Sequence, residues 1–128
     1  MVVTQLSIFL ENKDGRLSSL YNVLAAEKIN LEAWSLAETE QFGILRAIVP
    51  DPEKACALLK KAGFGATLTE VVRVTVPDCP GSLCGILRDL SQGGVSIEYL
   101  YNCPTHDKTS AIILKTDDAK ACEAILSR

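Results

Sequence analysis

Two short stretches place a glycine between an apolar run and a helix-like run: ENKDGRLSSL (Glu11–Leu20) and, sixty-six residues later, PDCPGSLCGI (Pro77–Ile86). Such a junction carries chemistry of its own. Glycine lets the backbone turn sharply and lets a ligand approach it closely. The first amides of the helix that follows have no intrahelical partner and carry partial positive charge. A carboxylate fits there. Side-chain oxygens of Asn12, Asp78 or Asn30 are placed to receive an ammonium group. An anion site beside a cation site suits a zwitterion.

These junctions belong to a repeat. At an offset of 66 the chain matches itself without gaps: Gly15 with Gly81, Leu17 with Leu83, Leu24 with Leu90, Glu32 with Glu98, Asp51 with Asp117, and KAC (Lys54–Cys56) with KAC (Lys120–Cys122). Apolar positions match in kind, as in Ile8 with Val74 and Leu10 with Val76. A missed repeat would misread the whole fold.

In the first copy, QLSIFLE alternates, with Leu6, Ile8 and Leu10 on one face of a strand. RLSSLYNVLAAEK sets Leu17, Leu20, Tyr21 and Leu24 on one helical stripe. INLEAWSLA and ILRAIV read as strands joined by a turn at QFG (Gln41–Gly43). DPEKACALLKKAG is a helix with Asp51 as its cap, Pro52 in its first turn, Gly63 at its end and a buried stripe of Ala55, Leu58, Leu59 and Ala62. ATLTEV follows as a strand. The order is β-α-β-β-α-β, an α+β, ferredoxin-like unit with helices on one face of an antiparallel sheet.

The second copy stops after its second helix, so residues 1–70 form one unit and 71–128 a second that lacks its own last strand. ATLTEVVRVTVPD is continuous strand-like sequence: either it bends at Glu70-Val71 or one long strand serves both sheets. Two helices cover one face only, yet apolar residues occur on both strand parities, with Phe9, Trp34, Ile44 and Ile48 in the minority set. A one-sided sheet reads polar on its outer face. The excess predicts that a second copy of the chain covers that face. The open edge also calls for a partner.

At this point the residues resemble a known family. FLENKDGRLSSLYNVLAAEKINLEAW is similar to the opening of an ACT domain, and TVPDCPGSLCGILRDLSQGGVSIEYL is closer still to its turn pattern. The resemblance spans essentially the whole chain. It implies a tandem of ACT units with their sheets merged side by side, and a regulatory protein that binds a small ligand, most often an amino acid. Ligands in that family lie where the glycine turn of one unit meets the second-strand start of a neighbour. Carried over, the first turn contributes Asn12, Gly15, Arg16 and Leu17, with Asn30 at the first strand start. The second turn contributes Asp78, Gly81, Ser82 and Leu83, with Ser96 where asparagine is usual. Asp14 stands where proline is more usual. The expected working pair joins the second turn to Asn30.

Each of these residues also has an ordinary reading. Glycine serves turn geometry alone at many strand-to-helix junctions. Asn30 suits a local cap. Glu32 and Glu98 suit surface ion pairs more than catalysis. Trp34, Tyr99 and Tyr101 read first as packing, Arg46 as an outer-face residue, and Cys56 and Cys122 as small buried hydrophobes.

Composition narrows the rest. The 128 residues are 48 % hydrophobic and 23 % charged, with a net charge of −3 and a pI near 5.1, which describes a globular chain without the basic stripe of a nucleic-acid binder. No uncharged apolar run approaches the ~18 residues of a membrane span. MVVTQLSIFL shows no basic leader, so the expected location is the cytoplasm. Five cysteines, an odd number, suit reduced thiols. Cys79 and Cys84, or Cys103 and His106, give one half of a zinc site without a second pair. No phosphate loop or nucleophile–base spacing appears, so neither an enzyme nor a cofactor is expected. The reading is an amino-acid-binding regulatory homodimer. The alternative is a ligand-free interaction module that recruits a partner enzyme.

Overall fold

The computed structural model describes residues 1–11, 13–38 and 41–127. Asn12, a candidate ligand residue, lies outside the described residues. The elements run β1 (Val2–Glu11), α1 (Arg16–Ala26), β2 (Ala33–Glu38), β3 (Phe42–Ile48), α2 (Pro52–Lys61), β4 (Gly65–Pro77), α3 (Ser82–Gln92), β5 (Ile97–Cys103), β6 (Thr109–Thr116) and α4 (Ala119–Leu126). They form an α+β pair of ferredoxin-like units. The compact units are Thr4–Thr69, here the first, and Met1–Val3 together with Glu70–Arg128, here the second.

In the first unit β3 lies between β2 and β1, antiparallel to both, with Ile8 opposite Leu45 and Trp34 opposite Ala47. β1 neighbours β4. Leu6, Ile8, Leu10, Leu20, Leu24, Leu45, Leu59 and Phe64 form one buried cluster, so alternation on β1 and periodicity on α1 serve a common core. The helical stripes are narrower than the spacing predicts. Leu17 and Tyr21 are exposed on α1. On α2 the buried residues are Ala55, Cys56 and Leu59, while Ala62 is the exposed C-cap. Cys56 takes an inward place in the same core cluster as Ala55 and Leu59. Asp51 caps α2 as expected, accepting from the Lys54 amide at 3.2 Å, and Gly63 ends it at φ 92°.

Trp34 departs from its expected face. Residues directly opposite in an antiparallel pair share a face, and Ala47 belongs to the core. Trp34 therefore lies on the helix side, at an edge strand, and is 56 % exposed.

The second unit repeats the plan. β6 lies between β4 and β5, antiparallel to both. Val72, Ile86, Leu90, Ile112, Leu114 and Cys122 form its core. α4 is capped by Asp118, one residue later than the repeat offset implies. Asp117, the offset partner of Asp51, instead accepts from the Ser96 amide at 3.0 Å. On the face away from the helices, Val71, Tyr101, Cys103, Ala111 and Ile113 are already buried within the chain. The chain itself covers these residues. In the first unit Phe9 and Phe42 do remain exposed on that face.

β4 is one strand of 13 residues without a break at Glu70-Val71. The fourth strand of the second unit comes from the start of the chain. The Arg73 amide donates to Met1 O at 2.9 Å, and the Met1 ammonium donates to Arg73 O at 3.1 Å. The Glu123 carboxylate accepts from the Val2 amide at 2.6 Å and pairs with the Met1 ammonium at 3.4 Å. Glu123→Ala is expected to lower stability by about 1–2 kcal/mol in urea denaturation, since it removes a charge-assisted bond to a strand end.

Three thiols, Cys56, Cys103 and Cys122, are buried, and two, Cys79 and Cys84, are exposed. Burial pushes the Cys122 thiol above its usual pKa. Thiol titration of the native protein should modify Cys79 and Cys84 quickly and the other three only after unfolding, as mass spectrometry of labelled peptides would show.

Candidate functional site

Both glycines do what the sequence requires of them. Gly15 (φ 82°) and Gly81 (φ 92°) occupy the left-handed region at the N-caps of α1 and α3. Neither helix has a side-chain cap. The Arg16 amide turns back to Lys13 O at 3.2 Å, and the Ser19 amide bonds to Gly15 O at 2.9 Å. The amides of Leu17 and Ser18 lie between them without a cap. In the second unit the Ser82 amide donates to Cys79 O at 3.3 Å and the Gly85 amide to Gly81 O at 3.0 Å. There the corresponding pair is Leu83 and Cys84. Helices α2 and α4 differ, because aspartates cap both.

The residues around the first turn carry charges of both signs, Lys13 and Arg16 against Glu11 and Glu38. The Glu11 carboxylate pairs with Lys13 at 2.9 Å. The hydrogen bond from Lys13, that cation's charge and the charge of Arg16 hold the Glu11 carboxyl below the usual range. The Arg16 guanidinium stacks over Phe64, 4.2 Å from the ring centre. Its Nε is buried and has no hydrogen-bond partner among the described residues. Arg16 and Leu17 line a small cavity of about 70 Å³ with Glu11, Lys13, Leu36 and Glu38. Sequence reasoning missed Lys13, Glu11 and Ser18. The expected helix start at Arg16 already implied a free Ser18 amide, since the first amides of a helix have no intrahelical partner.

Asn30 is exposed and lines a different cavity of about 230 Å³, with Tyr21, Leu24, Ile29 and Trp34. Thus the first unit does not bring its own turn and its own Asn30 into one cavity. Around the second turn, Asp78 donates its amide to Lys108 O at 3.0 Å, and the hydroxyl of Ser82 meets the Cys79 thiol at 3.2 Å. Asp78, Gly81 and Leu83 are exposed. Ser96 is engaged through its main chain: its amide donates to Asp117 Oδ1 and its carbonyl accepts from the Asp117 amide at 3.1 Å. Glu98 pairs with Lys115 at 2.8 Å, an exposed carboxylate in a surface ion pair.

Twin ferredoxin-like units, each opening its first helix on a left-handed glycine, define a class of paired α+β modules. The ACT domain pair profile matches residues 1–128, and the chain belongs to that family. Among solved structures it is similar to protein BT0572 from Bacteroides thetaiotaomicron, at 44 % identity and a TM-score of 0.92, over 99 % of this chain and 88 % of that one. It shares its fold with the regulatory subunit of aspartate kinase from Thermus thermophilus, in its ligand-free form, at 16 % identity and a TM-score of 0.70, over 99 % and 93 % of the two chains. The corresponding subunit from Thermus flavus matches at 14 % identity and a TM-score of 0.66, over 99 % and 94 %. No curated protein matches the chain.

At both glycines an added Cβ meets open space, so the backbone angle alone opposes substitution. Gly15→Ala and Gly81→Ala should each cost about 1–2 kcal/mol, measured by urea denaturation, with little change in helix content.

Proposed function

We propose that this chain is a regulatory protein that binds a free amino acid at its glycine turns. One observation carries the reading: α1 and α3 start on left-handed glycines with no side-chain cap, while Asp51 and Asp118 cap the other two helices. The uncapped amides, Leu17 and Ser18 in one unit and Leu83 and Cys84 in the other, present donors to a carboxylate. The ligand ammonium is assigned to an acidic or amide oxygen, with Asp78 and Asn30 the candidates. Each turn is one half of a site that an element of another ACT unit completes, the arrangement implied by the family pattern. Gly15, Arg16, Gly81 and Ser82 shape the turns, Asn12 adjoins the first, and Ser96 stands at the second strand start.

The reading makes the protein a sensor and not a catalyst. The aspartate kinase subunits that share its fold carry regulatory in their names. We assign it to the cytoplasm; no helix among the described residues is long and apolar enough to cross a membrane. We also propose that it works as a homodimer. The support is apolar exposure: Phe9, Trp34 and Phe42 are 43, 56 and 52 % exposed.

Thermal denaturation against the twenty amino acids at millimolar concentration tests the proposal. A true ligand at one hundred times its Kd stabilises the native state by about 2.7 kcal/mol. The Gly15→Val/Gly81→Val double variant, confirmed folded by circular dichroism, should lose that response. A flat response of the unaltered protein across the panel would count against an amino-acid ligand.

A further inference from the structure

The cavity beside Asn30 has an unusual lining. Tyr21, Leu24, Ile29, Leu31 and Trp34 surround about 230 Å³ together with the Asn30 amide. Among the described residues no charged side chain lines it. Leu24 is buried, and Ile29 and Leu31 pack against the same core. The two rings, Tyr21 and Trp34, are exposed. The cavity thus joins an apolar base, two open aromatic rings and one amide.

The fold does not call for those rings. At the repeat offset Tyr21, Asn30 and Trp34 correspond to Leu87, Ser96 and Leu100. The second unit keeps the same elements with leucine at both ring positions, and its Ser96 is tied through its main chain to Asp117. Trp34 is the chain's only tryptophan. It stands on the helix side of the sheet, whereas Phe9 and Phe42 lie on the other face, so a copy of the chain seated on Phe9 and Phe42 does not account for it.

We infer that the amino acid proposed above carries an aromatic side chain and that this cavity receives the ring. The inference rests on the amino-acid reading, in which Asn30 is a candidate partner of the ligand ammonium. A ligand held there has its side chain beside Tyr21 and Trp34. An apolar cavity of roughly 150 Å³ holds benzene, so this one has room for a ring and the carbon that joins it to the ligand backbone. A carboxylate or ammonium side chain would lose its water here and meet no opposite charge. Glycine would leave the cavity unfilled. An aliphatic side chain fits the base, but ring-to-ring contact with Tyr21 and Trp34 favours an aromatic one by a further two- to tenfold or about that.

The single tryptophan makes the test direct. L-Phenylalanine, L-leucine, glycine, L-aspartate and L-lysine are titrated into the full chain while Trp34 is excited selectively. L-Phenylalanine is expected to shift its emission saturably to shorter wavelength, and to bind at least about tenfold more tightly than glycine, L-aspartate or L-lysine. Tyr21→Ala should weaken that binding by about tenfold. Ala25, a helical residue that also lines the cavity, is exposed, and Ala25→Phe fills the space and should abolish the response; if that variant does not fold, Tyr21→Ala carries the test. Equal affinity for L-leucine, L-aspartate or L-lysine, or a Trp34 response that survives these variants, would overturn the inference. So would a thermal response to any amino acid that leaves Trp34 emission unchanged, and in each of these cases the amino-acid reading stands. A flat thermal response across all twenty strikes that reading itself, and this inference with it.

Discussion

Two main-chain hydrogen bonds between Met1 and Arg73, at 3.1 and 2.9 Å, tie the N-terminal residues into the second unit. A ferredoxin-like unit needs four strands to cover the inner side of its two helices. The residues after Asp78 supply only two of them, β5 and β6, and β4 supplies a third. Another neighbour of β4 comes from 72 positions earlier in the sequence. Glu123 on α4 fixes it by accepting from the Val2 amide and pairing with the Met1 ammonium. Val2 then packs against the core of Val72, Ile86 and Leu114. Val2 thereby adds an apolar side chain to a core built on β4, β6, α3 and α4.

The turns illustrate a different constraint. A strand must reverse into a helix within a few residues, and a left-handed residue does this with the least steric conflict when it is glycine. The same geometry leaves the next amides uncapped. Helices α2 and α4 begin after ordinary loops and are closed by aspartate. The contrast between the two kinds of helix start is thus built into the repeat, and it separates structural helix starts from those that present donors.

Much of this was legible in the sequence. The 66-residue offset, the two glycines, Asp51, Gly63 and the alternation of Leu6, Ile8 and Leu10 all report local chemistry, and local chemistry decides those features. What failed was decided by distant residues. Trp34 looked like an outer-face residue because parity was counted along one strand, while its face is set by its partner Ala47 on another. The burial of Ile48 was not legible from parity either, because cover supplied by the rest of the chain leaves no trace in a period of two. The cap at Asp118 slipped by one because Asp117 is held by Ser96, a contact 21 residues away. The candidate site was legible as residue types and turns, while the separate cavities of Arg16 and Asn30 were not.

Met1–Val3 belongs to the same compact unit as Glu70–Arg128 although the whole of Thr4–Thr69 lies between them in sequence, the wiring of a circular permutant. The ribosome releases Met1–Val3 long before β6 and α4 exist to receive them. During synthesis those residues must wait, while β1 beyond them pairs with β3. Cleaving between Glu70 and Val71 would not yield two self-sufficient halves, because the C-terminal fragment would leave its edge strand on the other piece. The repeat is double in sequence but not separable in covalent terms.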